Sequence, residues 1–177
     1  MTRKIRCIFA TALFTGLLCV VSNAQATGPR AVVASFYKFD RANSQVFNRE
    51  SVDSRKRWLS DELYELFLNE LVREKAYIAK NPSNKPYFGD GFSFRPLDEA
   101  CELNGKRYFY TISYGQVTIK GELGNVDVYF KYPKGCNIPD ILYAVNMEKQ
   151  RGRWVISDVR YISDNSSLVE DLKRSEY

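Results

Sequence analysis

The amino-acid sequence predicts an α+β fold, in which helices from the first half of the chain pack on an antiparallel sheet formed by the second half. Apolar residues recur at helical spacing up to Lys80, and they alternate with polar residues at period two after Cys101. Of the 177 residues, the 151 that follow a predicted leader are enough for one domain with its own core. We therefore expect a single domain over 27–177.

Residues 1–26 are predicted to be a secretory signal peptide. A basic segment (3–6) precedes an apolar run (7–21), and Ala24-Gln25-Ala26 fits the small-x-small cleavage pattern. The alternative is a retained membrane anchor, but the apolar run is shorter than the roughly 20 residues that span a bilayer. We therefore expect an exported domain, in a bacterial periplasm or secreted, with no membrane span after the signal is removed.

Removal of the leader changes the charge of the chain. The leader contains three of the 26 Lys and Arg residues and none of the 21 Asp and Glu residues, so the net charge falls from +5 to +2. Nucleic-acid binding requires clustered basic side chains along phosphates, so we expect no nucleic-acid partner. The one dense basic run, Arg55-Lys56-Arg57, is expected to be a solvated face at the start of a helix.

Two helices are predicted before Pro82. The first covers 29–41, because Pro29 suits a first helical turn and apolar residues between 32 and 37 follow at helical spacing. A polar stretch over 41–53 separates it from the second helix. Ser60 is the predicted N-cap of that helix, and Asn81-Pro82 ends it.

Period-two alternation indicates half-buried strands after Cys101. It covers 107–114, continues over 116–122, and resumes at Val126, Val128 and Phe130. A turn is predicted at Gly124-Asn125.

The clearest hairpin is the last one, with strands over 141–149 and 153–162 and a turn at Arg151-Gly152. The tail after it is predicted to form a short helix capped by Ser166.

Two of the four cysteines lie in the leader, and Cys101 and Cys136 remain. An even pair in an exported chain favours one disulfide over two buried thiols, because the compartment is oxidising. Closing a loop of this length would contribute about 4 kcal/mol on the chain-entropy model.

Two segments of the chain resemble a known family. The helix containing Trp58-Leu59-Ser60-Asp61-Glu62-Leu63 and the strand Trp154-Val155-Ile156-Ser157-Asp158-Val159 look like the nuclear-transport-factor-2-like superfamily, also called cystatin-like cone folds. With its leader, the chain is similar to a bacterial domain-of-unknown-function family of periplasmic proteins within that superfamily. The resemblance implies N-terminal helices packed on a strongly curved antiparallel sheet that forms a cone. Members include isomerases, dehydratases and binding modules, so the resemblance assigns no single function.

The chain lacks residues that several common catalytic and metal sites require. The chain has no histidine, which excludes Ser-His-Asp and Cys-His nucleophile systems and histidine metal sites. Two cysteines are too few for a four-cysteine zinc site, and Gly89-Asp90-Gly91 lacks the other residues of a phosphate-binding loop. We therefore predict no cofactor and no metal.

One catalytic scheme remains as an alternative. In the isomerase-like branch of the superfamily, a cavity carboxylate moves a proton while hydroxyl groups stabilise an enolate. Asp158 is the candidate base because it shares strand parity with Trp154 and Ile156, and Tyr110 is the candidate hydroxyl donor. The other interpretation is that Asp158 is solvated or paired with Arg160.

The aromatic residues between 87 and 94 form the strongest candidate for a binding segment. Tyr87, Phe88, Phe92 and Phe94 flank two glycines, and this loop is either a lid folded back over the domain or a docking loop for a ligand or partner. Its four aromatic residues are candidate binding residues, and three more are on the strands: Tyr110, Tyr114 and Trp154.

Our leading hypothesis from the sequence is an exported, non-enzymatic binding module. It would engage an envelope protein, as an accessory or immunity protein does, or a small apolar ligand. The competing hypothesis is a small isomerase or dehydratase that uses Asp158.

Overall fold

A computed structural model of the chain describes residues 28–97 and 100–174. The predicted signal peptide, 1–26, lies outside these residues. The elements follow one another in this order: α1 (Pro29–Ala42), α2 (Arg49–Arg55), a 3₁₀ turn (Lys56–Trp58), α3 (Asp61–Lys80), β1 (Cys101–Leu103), β2 (Lys106–Tyr108), β3 (Thr111–Lys120), β4 (Leu123–Lys131), β5 (Ile141–Gln150), β6 (Arg153–Tyr161), β7 (Ser166–Ser167) and α4 (Leu168–Lys173). The α+β prediction is confirmed.

The two long helices begin and end as their sequences predict. Pro29 occupies the first turn of α1, where a backbone N–H has no acceptor within the helix, so the lack of one in proline costs no hydrogen bond. Ser60 caps α3, since its Oγ accepts a hydrogen bond from the backbone N–H of Leu63 at 3.1 Å. Within the described residues, no helix is both long and apolar enough to cross a membrane.

The polar stretch between these helices contains α2, which the apolar pattern does not predict. Asn48 caps it by accepting a hydrogen bond from the backbone N–H of Ser51 at 2.8 Å. The helix is short and mostly polar, so its capping residue is the main signal for it in the sequence. It leads into the 3₁₀ turn that places Trp58 in the core.

Five strands form an antiparallel sheet in the order β3-β4-β5-β6-β7, and β1 and β2 form a separate hairpin. The β5–β6 turn lies at Arg151-Gly152 as predicted. The turn predicted at Gly124-Asn125 is wrong. The chain turns at 121–122, where Gly121 has a φ of +62°, and Gly124 pairs with Met147 inside β4.

A β-bulge interrupts β3. Tyr114 pairs with Val128 and Val117 pairs with Val126, so Gly115 and Gln116 together face one residue of β4. The predicted segments over 107–114 and 116–122 are thus mainly one bulged strand, preceded by the short β2.

The core lies between the helices and one face of the sheet. The alternation of β4 places Val126, Val128 and Phe130 on that face, and all three are fully buried. The helices contribute Val33, Phe36, Leu63 and Phe67 among others. The sheet is open, with β3 and β7 at its two edges.

The predicted disulfide is confirmed. Cys101 and Cys136 form a bond that joins β1 to the segment between β4 and β5, across a sequence separation of 35 residues. It fixes the small hairpin to the main sheet.

The chain from Ser166 forms the short edge strand β7 and then α4. Ser167, not Ser166, caps α4, because its Oγ accepts from the backbone N–H of Glu170 at 3.3 Å. The guanidinium of Arg73 in α3 bonds both Glu70 and the carbonyl of Leu172, which holds α4 against α3.

Candidate functional site

The aromatic loop, residues 87–94, folds inward. The exposed fractions of Phe88, Phe92 and Phe94 are 1%, 5% and 0%, whereas Tyr87 is 57% exposed. The Phe67 ring lies 5.5 Å from that of Phe92 and 5.4 Å from that of Phe94. The three phenylalanines are therefore core residues, and of the four aromatic candidates in this loop only Tyr87 presents its ring to a partner.

Three hydrogen bonds fix this loop. Tyr37 Oη donates to the carbonyl of Phe94 at 2.8 Å, and Tyr161 Oη donates to the carbonyl of Ser93 at 3.0 Å. The backbone N–H of Phe88 donates to Glu74 Oε1 at 2.9 Å. Burial raises the pKa of Glu74 to about 6, because the ionised carboxylate loses its hydration; the bond from Phe88 opposes this shift and nearby Glu70 adds to it.

A charged cluster is buried beneath the loop. Asp40 lies between two arginines, with Oδ1 2.8 Å from Arg55 and Oδ2 3.2 Å from Arg95 Nε. The Arg55 guanidinium also stacks 4.1 Å from the centre of the Phe92 ring. The expectation that Arg55 is solvated is wrong: its side chain has no exposed surface, while Lys56 and Arg57 are exposed.

A sequence signal for this cluster exists in α1. Asp40 is four residues after Phe36 and three after Tyr37, so it falls on the buried face of the helix. Charged residues are rarely fully buried without a partner, so a carboxylate at that position calls for a buried cation. The pattern does not reveal which arginine supplies it.

Tyr110 belongs to the same cluster. Its hydroxyl accepts a hydrogen bond from Arg95 Nη1 at 2.8 Å and lies 3.3 Å from the carbonyl of Pro96. The side chain is 1% exposed, and its ring packs on Phe130. Its hydroxyl thus links Arg95 to the backbone within the core.

Asp158 does not share a face with Trp154 and Ile156, and the parity prediction is wrong. Asn146 pairs with Asp158 and Met147 pairs with Ile156, so a bulge at Ser157 shifts the alternation by one residue. Asp158 Oδ1 accepts hydrogen bonds from the backbone N–H groups of Val159 at 2.8 Å and Val169 at 3.0 Å. Its carboxylate therefore holds the first turn of α4 against β6.

Trp154 packs within the core. It is 8% exposed and covers Gly124, where an added Cβ would lie 3.1 Å from its ring. Tyr114 is half-buried, and desolvation raises the pKa of its hydroxyl. It lines a groove between α1 and β3.

A cleft of about 380 Å³ lies between the aromatic loop, the ends of β5 and β6, and α4. We call it the tyrosine cleft, because Tyr87, Tyr143 and Tyr161 line it. The rings of Tyr143 and Tyr161 lie 4.9 Å apart, and desolvation raises the pKa of both hydroxyls. Tyr87 is the exposed ring of the three, whereas Tyr161 is 7% exposed and its hydroxyl is bonded to Ser93.

Charged side chains surround these rings. Asp171 lies 3.3 Å from Arg174, and its pKa is raised by burial, against the effect of a hydrogen bond from Tyr87. Asp90 pairs with Lys85, whereas Asp164 forms no ion pair with the described residues. Arg95 and Arg174 also line the cleft, but they pair with Asp40 and Asp171. The cleft therefore offers aromatic faces beside carboxylates, one of them without an ion pair in this part of the chain.

A second concavity is the α1–β3 groove, of about 390 Å³. Tyr37, Ala42, Ile112 and Tyr114 line it together with Lys38 and Arg41. Its charged lining residues are therefore both cations.

No three His, Cys, Asp or Glu side chains of residues 28–97 and 100–174 come together in a way that could hold a metal ion. Comparison of the chain with family models, with curated proteins and with solved structures finds no match.

Proposed function

We propose that the chain is an exported, non-enzymatic binding module that engages a protein of the cell envelope through the tyrosine cleft. The resemblance to the nuclear-transport-factor-2-like cone fold, in a bacterial periplasmic family, supports a scaffold that hosts binding modules as well as enzymes. The predicted leader supports the location.

The packed space between helices and sheet carries this proposal. Phe88, Phe92 and Phe94 pack there against Phe36 and Phe67, where an isomerase of this superfamily would need room for a substrate. A small apolar ligand would need the same room. The tyrosine cleft and the α1–β3 groove are both open to solvent, which favours a macromolecular partner.

The catalytic alternative lacks its principal groups. Asp158 accepts two backbone hydrogen bonds, and the Tyr110 hydroxyl is buried beside Arg95 and Pro96. The chain also has no histidine to act as a base. No observation favours an isomerase or dehydratase over a binding module.

The chemistry of the cleft favours a partner that presents lysine or arginine. Tyrosine rings attract a cation through their faces, and Asp164 supplies an unpaired carboxylate within the described part of the chain. Exposed tyrosines are also typical of binding hot spots, because a rigid ring buries much apolar area at small entropic cost.

A matched pair of variants tests the proposal. The wild-type domain is used to capture proteins from a periplasmic extract, the specific partner is purified, and its affinity is measured by calorimetry. We expect Tyr87→Ala combined with Asp164→Lys to weaken binding at least about tenfold, a typical hot-spot loss. The control is Phe109→Ala, since Phe109 is 45% exposed but lies outside the cleft.

Equal affinity of the cleft variant and the wild type would remove the cleft from the interface. The location is tested separately by the intact mass of the chain in the periplasmic fraction. We expect a chain that begins at residue 27, and an uncleaved chain retained in the membrane would contradict export.

A further inference from the structure

One edge of the main sheet is unpaired in the part of the chain that the structure describes. Strand β3 pairs with β4 on one side only, and such an edge presents free N–H and C=O groups to another strand. The bulge at Gly115 and Gln116 interrupts this edge. Arg30 also donates to the carbonyls of Tyr114 and Gly115, which leaves the stretches 111–113 and 117–120 open on either side of the bulge.

The α1–β3 groove runs beside the first of these stretches, 111–113. Ile112 and Tyr114 of β3 and Tyr37 of α1 give it apolar walls that could receive alternate side chains of an added strand. Lys38 and Arg41 are exposed, and neither forms an ion pair with the described residues. No carboxylate lines the groove.

We propose that this surface binds an extended acidic segment of a partner protein as an added β-strand along residues 111–113. Main-chain hydrogen bonds to β3 would supply affinity. Every second side chain of the added strand would point into the groove, and these side chains would be apolar beside Ile112 and Tyr114 and acidic beside Lys38 and Arg41. This site is separate from the tyrosine cleft and goes beyond the function proposed above.

The charges decide between the possible occupants. A basic segment would be repelled by both cations, and a second copy of the chain would bring its own Lys38 and Arg41 to the same edge in a β3–β3 pairing. An acidic strand is the occupant whose charge complements the groove.

The test uses a defined probe, the capped peptide acetyl-Glu-Ser-Val-Ser-Glu-amide, whose two glutamates and valine share one face of a strand, titrated into the isotopically labelled domain at low ionic strength. We expect the amide resonances of Thr111, Ile112 and Ser113 to shift. Lys38→Glu combined with Arg41→Glu should weaken binding at least tenfold. The control combines Lys75→Glu with Lys80→Glu, which makes the same charge change at exposed positions of α3.

Three results would overturn the proposal. The first is an absence of shifts along residues 111–113, or shifts that the double variant of α1 leaves unchanged. The second is equal binding of a probe N-methylated at both serines, which keeps its charge but lacks those two strand donors. The third is a concentration-dependent dimer that buries β3, since a second copy would then be the occupant. None of these results bears on the tyrosine cleft, whose role in the proposed function is tested by its own variants.

Discussion

Arg55 and Asp40 form an ion pair whose two side chains have no exposed surface, with Arg55 Nη2 2.8 Å from Asp40 Oδ1. Arg55 also donates to the carbonyls of Ser51 and Ser44. The pair thus connects α1, α2 and the segment between them beneath the aromatic loop. Its burial is costly unless every polar group is satisfied, so it ties the local structure to one arrangement.

We expect Arg55→Ala to destabilise the domain by about 3–5 kcal/mol, because it leaves Asp40 buried with one partner fewer and removes the cation stacked on Phe92. Chemical denaturation measures the loss. Lys173→Ala is the control, since it breaks an exposed pair with Glu62 and should cost less than about 1 kcal/mol. Similar losses for both variants would contradict the structural role of the buried pair.

Gly91 is required by both its backbone and its surroundings. Its φ is +110°, and an added Cβ would collide with the carbonyl oxygen of Gln45. We expect Gly91→Ala to cost about 3 kcal/mol in the free energy of unfolding, from backbone strain and overpacking together. Gly152→Ala separates the two effects: its φ is +76° but no atom lies within 4 Å, so only the backbone cost of about 1–2 kcal/mol remains. A Gly91→Ala variant no less stable than the Gly152→Ala variant would show that the contact with Gln45 is absent.

Glu74 makes stability depend on pH. Its pKa is raised from 4.5 to about 6 in the folded protein, so between these values the folded state holds a proton that the unfolded state releases. Stability from this group is complete below pH 4.5 and is lost as the pH rises through 6.

We expect the wild type to lose about 1–2 kcal/mol relative to Glu74→Gln between pH 4.5 and pH 7. Glutamine keeps an acceptor for the backbone N–H of Phe88 and does not titrate. Denaturation curves across this range provide the measurement, and Glu65→Gln, at an exposed position of α3, is the control. Parallel pH profiles for the wild type and Glu74→Gln would refute the prediction.

The disulfide should contribute substantially to stability. It closes a loop with a sequence separation of 35 residues, for which the chain-entropy model gives about 4 kcal/mol. We expect reductant to lower the denaturation midpoint of the wild type but not that of a variant carrying both Cys101→Ala and Cys136→Ala. Intact mass after alkylation without reductant checks the bond directly, because two alkylated cysteines in the unfolded mature chain would mean that it is absent.

Local patterns in the sequence predict several parts of the fold. The caps and apolar stripes of α1 and α3 act within a few residues of one another, and period-two alternation marks β3 and β4. The turn at Arg151-Gly152 and the apolar residues beside it mark β5 and β6. The disulfide is predictable because only two cysteines follow the predicted leader. The absence of histidine can be read from the sequence directly, and it excludes catalytic and metal sites that need that residue.

Only the tertiary structure decides which charged and aromatic residues are inside. Arg95 reaches Asp40 across 55 residues, and no local spacing specifies that partner. The bulge at Ser157 depends on pairing with β5, so it reverses the predicted side of Asp158 without a marker in β6 itself. The sequence by itself therefore determined α1, α3, α4 and most strands, and it excluded chemistry that needs histidine. Long-range pairing decided that the aromatic loop packs inward, and it formed the tyrosine cleft and the edge at β3.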